Sequence, residues 1–428
     1  MIQKTKFTEV YIVGKGGRES AIHHFLRQAN PNLNPNLNVI KSIKEISEVN
    51  TATLPPSLFI IGPEAPLVDG VADQLHNQGH FVFGPSKQAA QLEGSKIFAK
   101  KFMIKAQVPT ARHAVVDSIE SVRTALANHN FFSAPYVLKA DGLAGGKGVF
   151  ICKDETELYE KAKLLFEDNA LGAAGQTALL EERLDGFEMS VLALTNGSDF
   201  QILPVAQDHK RLKDHQQGPN TGGMGTTAPF LVDPELMKDI VDHVVKPSVQ
   251  HLGKENFVFR GVLFVGIMIV KNKPYVLEYN VRFGDPETQS VLPLIAMENP
   301  VDLFLEIACG NMPKFKVKKN YHSCCVVIAA ENYPDQPVFG SSITIENMIP
   351  DQGVPEVYFS ETEQQTKSSY LLLGGANLLN NQWKVGGGRV LNCVGLGSTA
   401  SEARHRAYAL TKNIYFKGMQ FRTDIGKN

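Results

Sequence analysis

Acids, an amide and an arginine crowd one short stretch of the chain, Glu278-Tyr-Asn280-Val-Arg282-Phe-Gly-Asp285-Pro-Glu287-Thr-Gln289. Alternation along a strand directs Glu278 and Asn280 to one face. Both offer oxygen ligands, which suits Mg²⁺ bridging phosphates, and Mn²⁺ accepts the same donors. Arg282 falls on that face too, where a guanidinium would stabilise a transferring phosphoryl group. Val276 and Leu277 are expected to anchor the strand in the core.

A second constellation precedes it. Lys139-Ala-Asp-Gly-Leu-Ala-Gly145-Gly146-Lys147-Gly-Val149 brings one cation to the end of a strand and a second onto a flexible loop. Its glycines allow close backbone approach to phosphate oxygens. The G-x-x-x-x-G-K-[ST] spacing fails, because Gly148 follows Lys147. The run reads as a mobile lid over a nucleotide triphosphate. Glu181, Glu182 and Glu188 come next. Acids at such a turn are commonly just solvated, but their position after a phosphate loop suits a ribose or adenine contact.

Between these lie Gln207-Asp208-His-Lys210-Arg211 and the glycine-rich Gly218-Pro-Asn-Thr-Gly222-Gly223-Met224-Gly225. A charged pair beside a glycine loop suits an amino acid plus a phosphorylated partner, and also fits an ordinary loop. Near the start, Gly14-x-Gly16-Gly17-Arg18-Glu19 follows a strand and opens a helix. Backbone N–H groups there could hold an anion, although Glu19 breaks the dinucleotide fingerprint.

Elements that must position these residues are legible around them. Val10–Gly14, Leu58–Gly62 and Phe81–Pro85 read as buried strands. Arg18–Ala29 reads as a helix and Asn30–Asn38 as a loop. This is the rhythm of a parallel sheet that binds ligands at the carboxyl ends of its strands. In the middle, Tyr136–Lys139, Ala178–Glu182 and Met189–Leu194 are expected strands. Phe257–Val270 and Tyr275–Tyr279 are expected to form a hairpin joined by Lys271–Pro274. Beyond about residue 322 the chain is β-rich, with strands at Cys324–Ala330, Tyr370–Leu373 and Arg389–Val394 and a closing helix over Ala400–Asn413.

Bulk properties exclude other classes. With 428 residues, 43% apolar and 20% charged, the chain is ordinary globular material of several domains. A net charge of −1 argues against nonspecific nucleic-acid binding. No apolar run reaches the length of a membrane span, and no secretory signal precedes the first strand, so a cytoplasmic location is expected. None of the five cysteines forms a C-x-x-C pair, and no H-E-x-x-H occurs among the 12 histidines. Buried free thiols are the expected state.

In this order the segments resemble the phosphoribosylamine–glycine ligase family of the ATP-grasp superfamily, over nearly the whole chain. The most specific pieces are Arg282–Gln289, Gly62-Pro-Glu64-Ala-Pro66-Leu67, Gln91-Leu-Glu-Gly-Ser-Lys96, Gln207–Arg211 and Gly218–Gly225. Gly386–Leu391 and the Ala403–Tyr408 helix look like the family's C-terminal domain. The resemblance implies an α/β protein with three parts. These are an N-terminal parallel-sheet (pre-ATP-grasp) domain over 1–100, an ATP-grasp domain over 101–321 with a mobile lid over about 115–190, and a β-rich α/β domain over 322–428.

It further implies ATP and Mg²⁺ or Mn²⁺ as cofactors, with glycine and 5-phosphoribosylamine as substrates joined through glycyl phosphate, on a monomer or weak dimer. Lys96 and Lys139 would contact ATP phosphates, with Gly145, Gly146 and Lys147 on the lid. Glu181, Glu182 and Leu184 would edge the adenine, and Glu188 would hold the ribose hydroxyls. Glu278 and Asn280 match the family's metal ligands. Lys139 and Arg282 would be catalytic. Substrates would meet Gly16, Gly17, Arg18, Glu64, Pro66, Asp208, Lys210, Gly222, Gly223, Met224, Arg282 and Asp285.

Two departures fall in the N-terminal domain. Ser20 stands where the family's G-G-R-E-H has histidine, and no P-G-N loop occurs between Val39 and Leu58. Both bear on phosphoribosylamine contacts. The competing readings are another ATP-grasp ligase, such as a purine-pathway carboxylase subunit, and a nucleotide-binding protein that has lost catalysis.

Overall fold

The computed structural model describes residues 9–27, 39–145, 147–346, 348–350, 356–359 and 368–427. The loop expected at Asn30–Asn38, the end of the first helix near Ala29 and Gly146 lie outside these residues.

The chain opens with β1 (Glu9–Val13), α1 (Gly17–Arg27), β2 (Val39–Ile43), β3 (Leu58–Ile61), α2 (Glu64–Asp69), α3 (Val71–Asn77) and β4 (Phe81–Phe83). The strands are parallel in the order β2-β1-β3-β4. A parallel sheet is covered on both faces, so its inner strands are apolar on both. Val10, Ile12, Leu58 and Ile60 accordingly join Ile22, Phe25 and Leu26 of α1 in one core, while Tyr11, Val13, Phe59 and Ile61 join another. Val39–Ile43 is a strand that the sequence pattern does not signal. It is an edge strand whose Lys41 lies 2.9 Å from Glu9 at the rim.

Helices α4 (Lys87–Gly94) and α5 (Lys96–Lys105) follow, capped by the hydroxyls of Ser86 and Ser95. Residue 100, expected as a domain limit, falls inside α5.

The next segment is an antiparallel unit of β5 (His113–Val116), α6 (Ile119–Asn128), β6 (Tyr136–Ala140), β7 (Val149–Cys152), α7 (Glu155–Phe166) and β8 (Ala178–Glu181), with strand order β5-β8-β6-β7. Both helices cover one face, where Leu138, Leu158, Leu165 and Leu180 close a small core. Cross-strand partners share a face. Lys139 is paired with Val149 and Leu179, and Glu181 with Val137. The opposite face therefore carries Lys139 and Glu181 beside the exposed Val149 and Ile151.

The chain continues through β9 (Phe187–Thr195), β10 (Phe200–Ile202), β11 (Gln207–Asp208), β12 (Arg211–Lys213), β13 (Gln217–Asn220), β14 (Gly225–Ala228), α8 (Pro234–Ile240), α9 (Lys246–Lys254), β15 (Gly261–Val270), β16 (Lys273–Asn280) and α10 (Glu287–Val291). A second antiparallel sheet runs β10-β9-β15-β16. The β15–β16 turn is shorter than the expected Lys271–Pro274. Lys271 and Asn272 alone take positive φ, while Lys273 and Pro274 already pair with Val270 and Ile269. The register shifts beyond Gly266, so Leu277 is an extra residue in a bulge. Leu277 is thus only half-buried, and Val276 alone is the core anchor of the expected pair. The expected Gly218–Gly225 loop is also partly strand, because β13 pairs with β12.

The last part is built on a seven-stranded sheet. Its order is β11, β14, His322–Ala329, Arg389–Gly397, Ser369–Leu373, Glu356–Phe359 and Met348–Pro350. Helix Ala400–Thr411 packs on it through Ala403, Ala407 and Leu410. Among the described residues no helix is long and apolar enough to cross a membrane. All five cysteines are free; Cys152, Cys324, Cys325 and Cys393 are buried as expected, but Cys309 is exposed just beyond helix Val301–Ala308.

Candidate active site

Between the β5–β8 sheet and the β9–β16 sheet the chain collects cations. Lys139 Nζ lies 2.8 Å from Glu181 Oε2 and donates to the Leu277 carbonyl at 3.4 Å, so a lysine of the first sheet abuts the strand that carries Glu278. Burial opposes the charge on Lys139, but the Glu181 carboxylate outweighs it and raises the ammonium above its ordinary value. Lys96 stands at the first turn of α5, within 3.5 Å of the Gly142 carbonyl at the base of the glycine loop. Burial lowers its ammonium. Asp141 anchors that base, accepting from Ser95 Oγ at 2.9 Å and from the Ile97 N–H at 2.7 Å.

Glu181, expected at the adenine edge, turns its carboxylate into the interior. It is 2% exposed and bound to Lys139 and Lys100, so its carboxylate is an internal counter-ion. Glu182 is also engaged, accepting from the Arg112 backbone and side chain. Leu184 is half-buried, while Glu188 is exposed on β9. Lys147 reaches across to the Asp335 carbonyl at 3.5 Å.

On β16, Glu278 is exposed and Asn280 half-buried. Arg282 lies beside them, donating to Asn280 Oδ1 at 3.3 Å. It is held by two carboxylates, Glu93 at 2.8 Å and Glu64 at 3.3 Å. Burial raises the Glu93 carboxyl despite the guanidinium, whereas Arg282 and Arg18 hold Glu64 below its ordinary value against its burial. Pro66 sits half-buried in α2 behind Glu64.

A cavity of about 230 Å³ opens where the N-terminal turn meets the C-terminal sheet, lined by Lys15, Gly16, Gly17, Asp285, Arg389 and Asn392, among others. Gly17 begins α1, and a Cβ there would come within 2.5 Å of the Asn392 and Gln289 side-chain amides. Only glycine permits this approach. Arg389 donates to the Gly222 carbonyl at 2.9 Å and lies 3.3 Å from Asp285 Oδ2. Burial raises the Asp285 carboxyl, but Arg389 and Arg18 bring it below the ordinary range. Arg18 itself donates to the Phe283 carbonyl at 2.8 Å and pairs with Glu19. Sequence spacing gave no sign of Lys15, Glu93, Lys100, Arg389 or Asn392 as site residues.

The Gly218–Gly225 loop is clamped from both sides. The Gly222 N–H donates to the Tyr333 hydroxyl at 3.0 Å while Arg389 holds its carbonyl. Gly223, at φ +120°, lies against Pro286 and Asp208. Asp208 pairs with Lys210 at 2.9 Å. Glu287 shares this pocket, its carboxyl pushed up to about 7 by burial and by the Asp208 carboxylate. Met224, expected at the substrate, is fully buried, with its backbone bound to His209 and Val327. Its side chain is part of the core.

Ser20, expected to bear on phosphoribosylamine contacts, also turns into the interior. It is buried and donates to the Leu373 carbonyl at 2.7 Å, which ties α1 to the C-terminal sheet. Ser20→His is therefore expected to act on stability. Overpacking a filled interface costs about 1–3 kcal/mol, read as a lower thermal midpoint.

Family models of phosphoribosylglycinamide synthetase match the chain at residues 8–93 (N domain), 94–288 (ATP-grasp (A) domain) and 323–428 (C domain). The chain is 36% identical over 441 residues to a phosphoribosylamine–glycine ligase of Caldanaerobacter subterraneus subsp. tengcongensis, covering 97% of this chain and 99% of the relative. It is 37% identical over 435 residues to that of Thermotoga maritima, covering 98% and 99%. The crystal structure of phosphoribosylamine–glycine ligase from Thermotoga maritima superposes with a TM-score of 0.80 at 34% identity, covering 97% of this chain and 100% of that one. The biotin carboxylase domain of Hydrogenobacter thermophilus 2-oxoglutarate carboxylase shares the fold, with a TM-score of 0.70 at 16% identity over 97% of this chain and 92% of that one. With all three domains matched in order and relatives aligned end to end, the chain belongs to the phosphoribosylamine–glycine ligase family.

Proposed function

We propose that the chain ligates glycine to 5-phospho-β-D-ribosylamine, converting ATP to ADP and phosphate and yielding glycinamide ribonucleotide. The observation that carries this reading is the meeting of Lys139 with the Glu278 strand across two facing sheets. That cleft has cations on one wall and oxygen ligands on the other.

In the first step a carboxylate oxygen of glycine attacks the γ-phosphorus, and ADP leaves. Lys96 and Lys139 would hold the phosphate oxygens, and Arg282 would offset charge at the transferring group. The metal would neutralise phosphate charge. Glu278 and the Asn280 amide fit it. Mg²⁺ is characteristically held by one or two carboxylates plus substrate phosphates; the exposed Glu278 carboxylate would be the first such ligand, with the Asn280 amide oxygen two residues on. Val149 and Ile151 offer apolar cover for the base, with Glu182, Leu184 and Glu188 at the rim of the nucleoside. In the second step the amine of phosphoribosylamine attacks the acyl carbon of glycyl phosphate, and phosphate leaves. The 5-phosphate would fit the cavity at the start of α1, which Lys15, Gly16, Gly17 and Arg389 line together with the Arg389-paired Asp285. Asp208, Lys210, Gly222 and Gly223 would then bring glycine beside it. Holding both reactants supplies effective concentration.

Phosphate release should require glycine and phosphoribosylamine together, the latter generated in situ. Absence of turnover with any combination would favour a nucleotide-binding protein without catalysis.

The lid gives a separate prediction. Gly145 has φ +55° with open space around its Cβ position. Gly145→Val thus strains the backbone by about 1–2 kcal/mol without a clash. A raised KM for ATP or a lower kcat is expected, with little change in thermal midpoint. A large stability loss with normal kinetics would make the run a structural turn.

A further inference from the structure

Lys100 lies one turn beyond Lys96 on α5 and is 2% exposed. Its ammonium is 3.2 Å from Glu181 Oε1, an ion-pair contact without hydrogen-bond geometry, and donates to Thr110 Oγ1 at 2.6 Å. Lys139 occupies the other oxygen of the same carboxylate at 2.8 Å. Two buried ammoniums therefore converge on one carboxylate, so within this trio the cations outnumber the anions, while Glu278 and Glu188 act more weakly on Lys139 from outside it. Thr110 donates onward to the Val276 carbonyl at 2.7 Å, and Lys139 to that of Leu277. The cluster is thus braced against the strand that bears Glu278.

Such an arrangement is costly for a protein without a ligand. Burial lowers the Lys100 ammonium, and Lys139 lowers it further, against the pull of Glu181. A plain structural ion pair would need only one of the two lysines. The excess charge has a use if an anion arrives on the Lys139 side.

We propose that Lys100 is a positioning residue for nucleotide binding: by occupying one oxygen of Glu181, it keeps that carboxylate from cancelling Lys139, which retains charge for the phosphate oxygens of ATP. This rests on the reading of Lys139 as a phosphate-binding group. Without Lys100, Glu181 and Lys139 form a neutral pair. The pair is easier to bury and poorer at holding phosphate.

The test measures binding of a nonhydrolysable ATP analogue with Mg²⁺, alongside thermal midpoints, in Lys100→Met, Lys100→Arg and Lys139→Met. Lys100→Met should weaken binding by at least ~10-fold, the scale of a hydrogen bond to a charged group, with an equal or higher midpoint. Lys100→Arg should restore most of the affinity. A lowered midpoint or failure to fold in Lys100→Met would mark Lys100 as merely structural and overturn the proposal. Normal affinity in Lys100→Met, with weak binding in Lys139→Met, would overturn it while leaving the Lys139 reading intact. Normal affinity in both would overturn both.

Discussion

Glu278→Gln is expected to reduce turnover by at least ~100-fold, the scale of losing one preorganised charge at a transition state. The substitution keeps the shape of the side chain and removes only its charge. Lys96, Lys139 and Arg282 all feel the Glu278 carboxylate, which is exposed at the cleft and carries little of the core. The folded state should therefore survive, and the loss should appear in kcat with a normal melting transition. Raising Mg²⁺ should recover part of the rate if the defect is metal affinity. Near-normal turnover in a well-folded Glu278→Gln protein would remove this residue from the metal site.

Arg282→Met should have the second large effect, on stability as well as on rate. Its guanidinium is the counter-ion of Glu93, which is nearly inaccessible, and of Glu64. Removing one partner of a buried pair strands the other, at a cost of about 3–5 kcal/mol. A urea-unfolding midpoint well below wild type is the expected result. Adding Glu93→Gln removes the stranded charge and should recover much of the stability, while the rate stays low. If the double variant regained activity together with stability, Arg282 would be a strut rather than a participant in phosphoryl transfer. If the single variant kept the wild-type midpoint, Glu93 would have another source of compensation.

Local patterns carried much of this architecture. Alternation and glycine punctuation located β1, β3, β6 and the β15–β16 hairpin, because those strands are buried and bounded by turns. β2 escaped notice because it is an edge strand with Lys41 and Ser42 in its middle. The Leu277 bulge is invisible to a period-two reading, since it depends on the register of the neighbouring strand. Site residues divided the same way. Lys139, Glu278, Asn280 and the glycine turns sit in recognisable runs. Glu93, Lys100, Arg389 and Asn392 gain their significance from contacts far along the chain, as between Glu93 and the Val281 N–H. The inward contacts of Glu181 and Ser20 are illegible in the sequence for a related reason: a polar side chain in a motif can point inward to a partner that only the fold supplies.

The C-terminal sheet includes β11 and β14, which flank the loop bearing Gly222 and Gly223. β14 pairs with His322–Ala329, and that strand pairs in turn with Arg389–Gly397. During synthesis, then, the loop emerges long before the strands that brace it. Arg389, which holds the Gly222 carbonyl, follows that glycine by 167 residues. A nascent chain can close its parallel N-terminal sheet early, in the usual amino-to-carboxyl order, but the Gly222–Gly223 loop must wait for the strand that carries Arg389. A ribosome that stopped before His322 would leave one edge of β14 unpaired and open to other strands, so products truncated there should be drawn to aggregation rather than to partial activity.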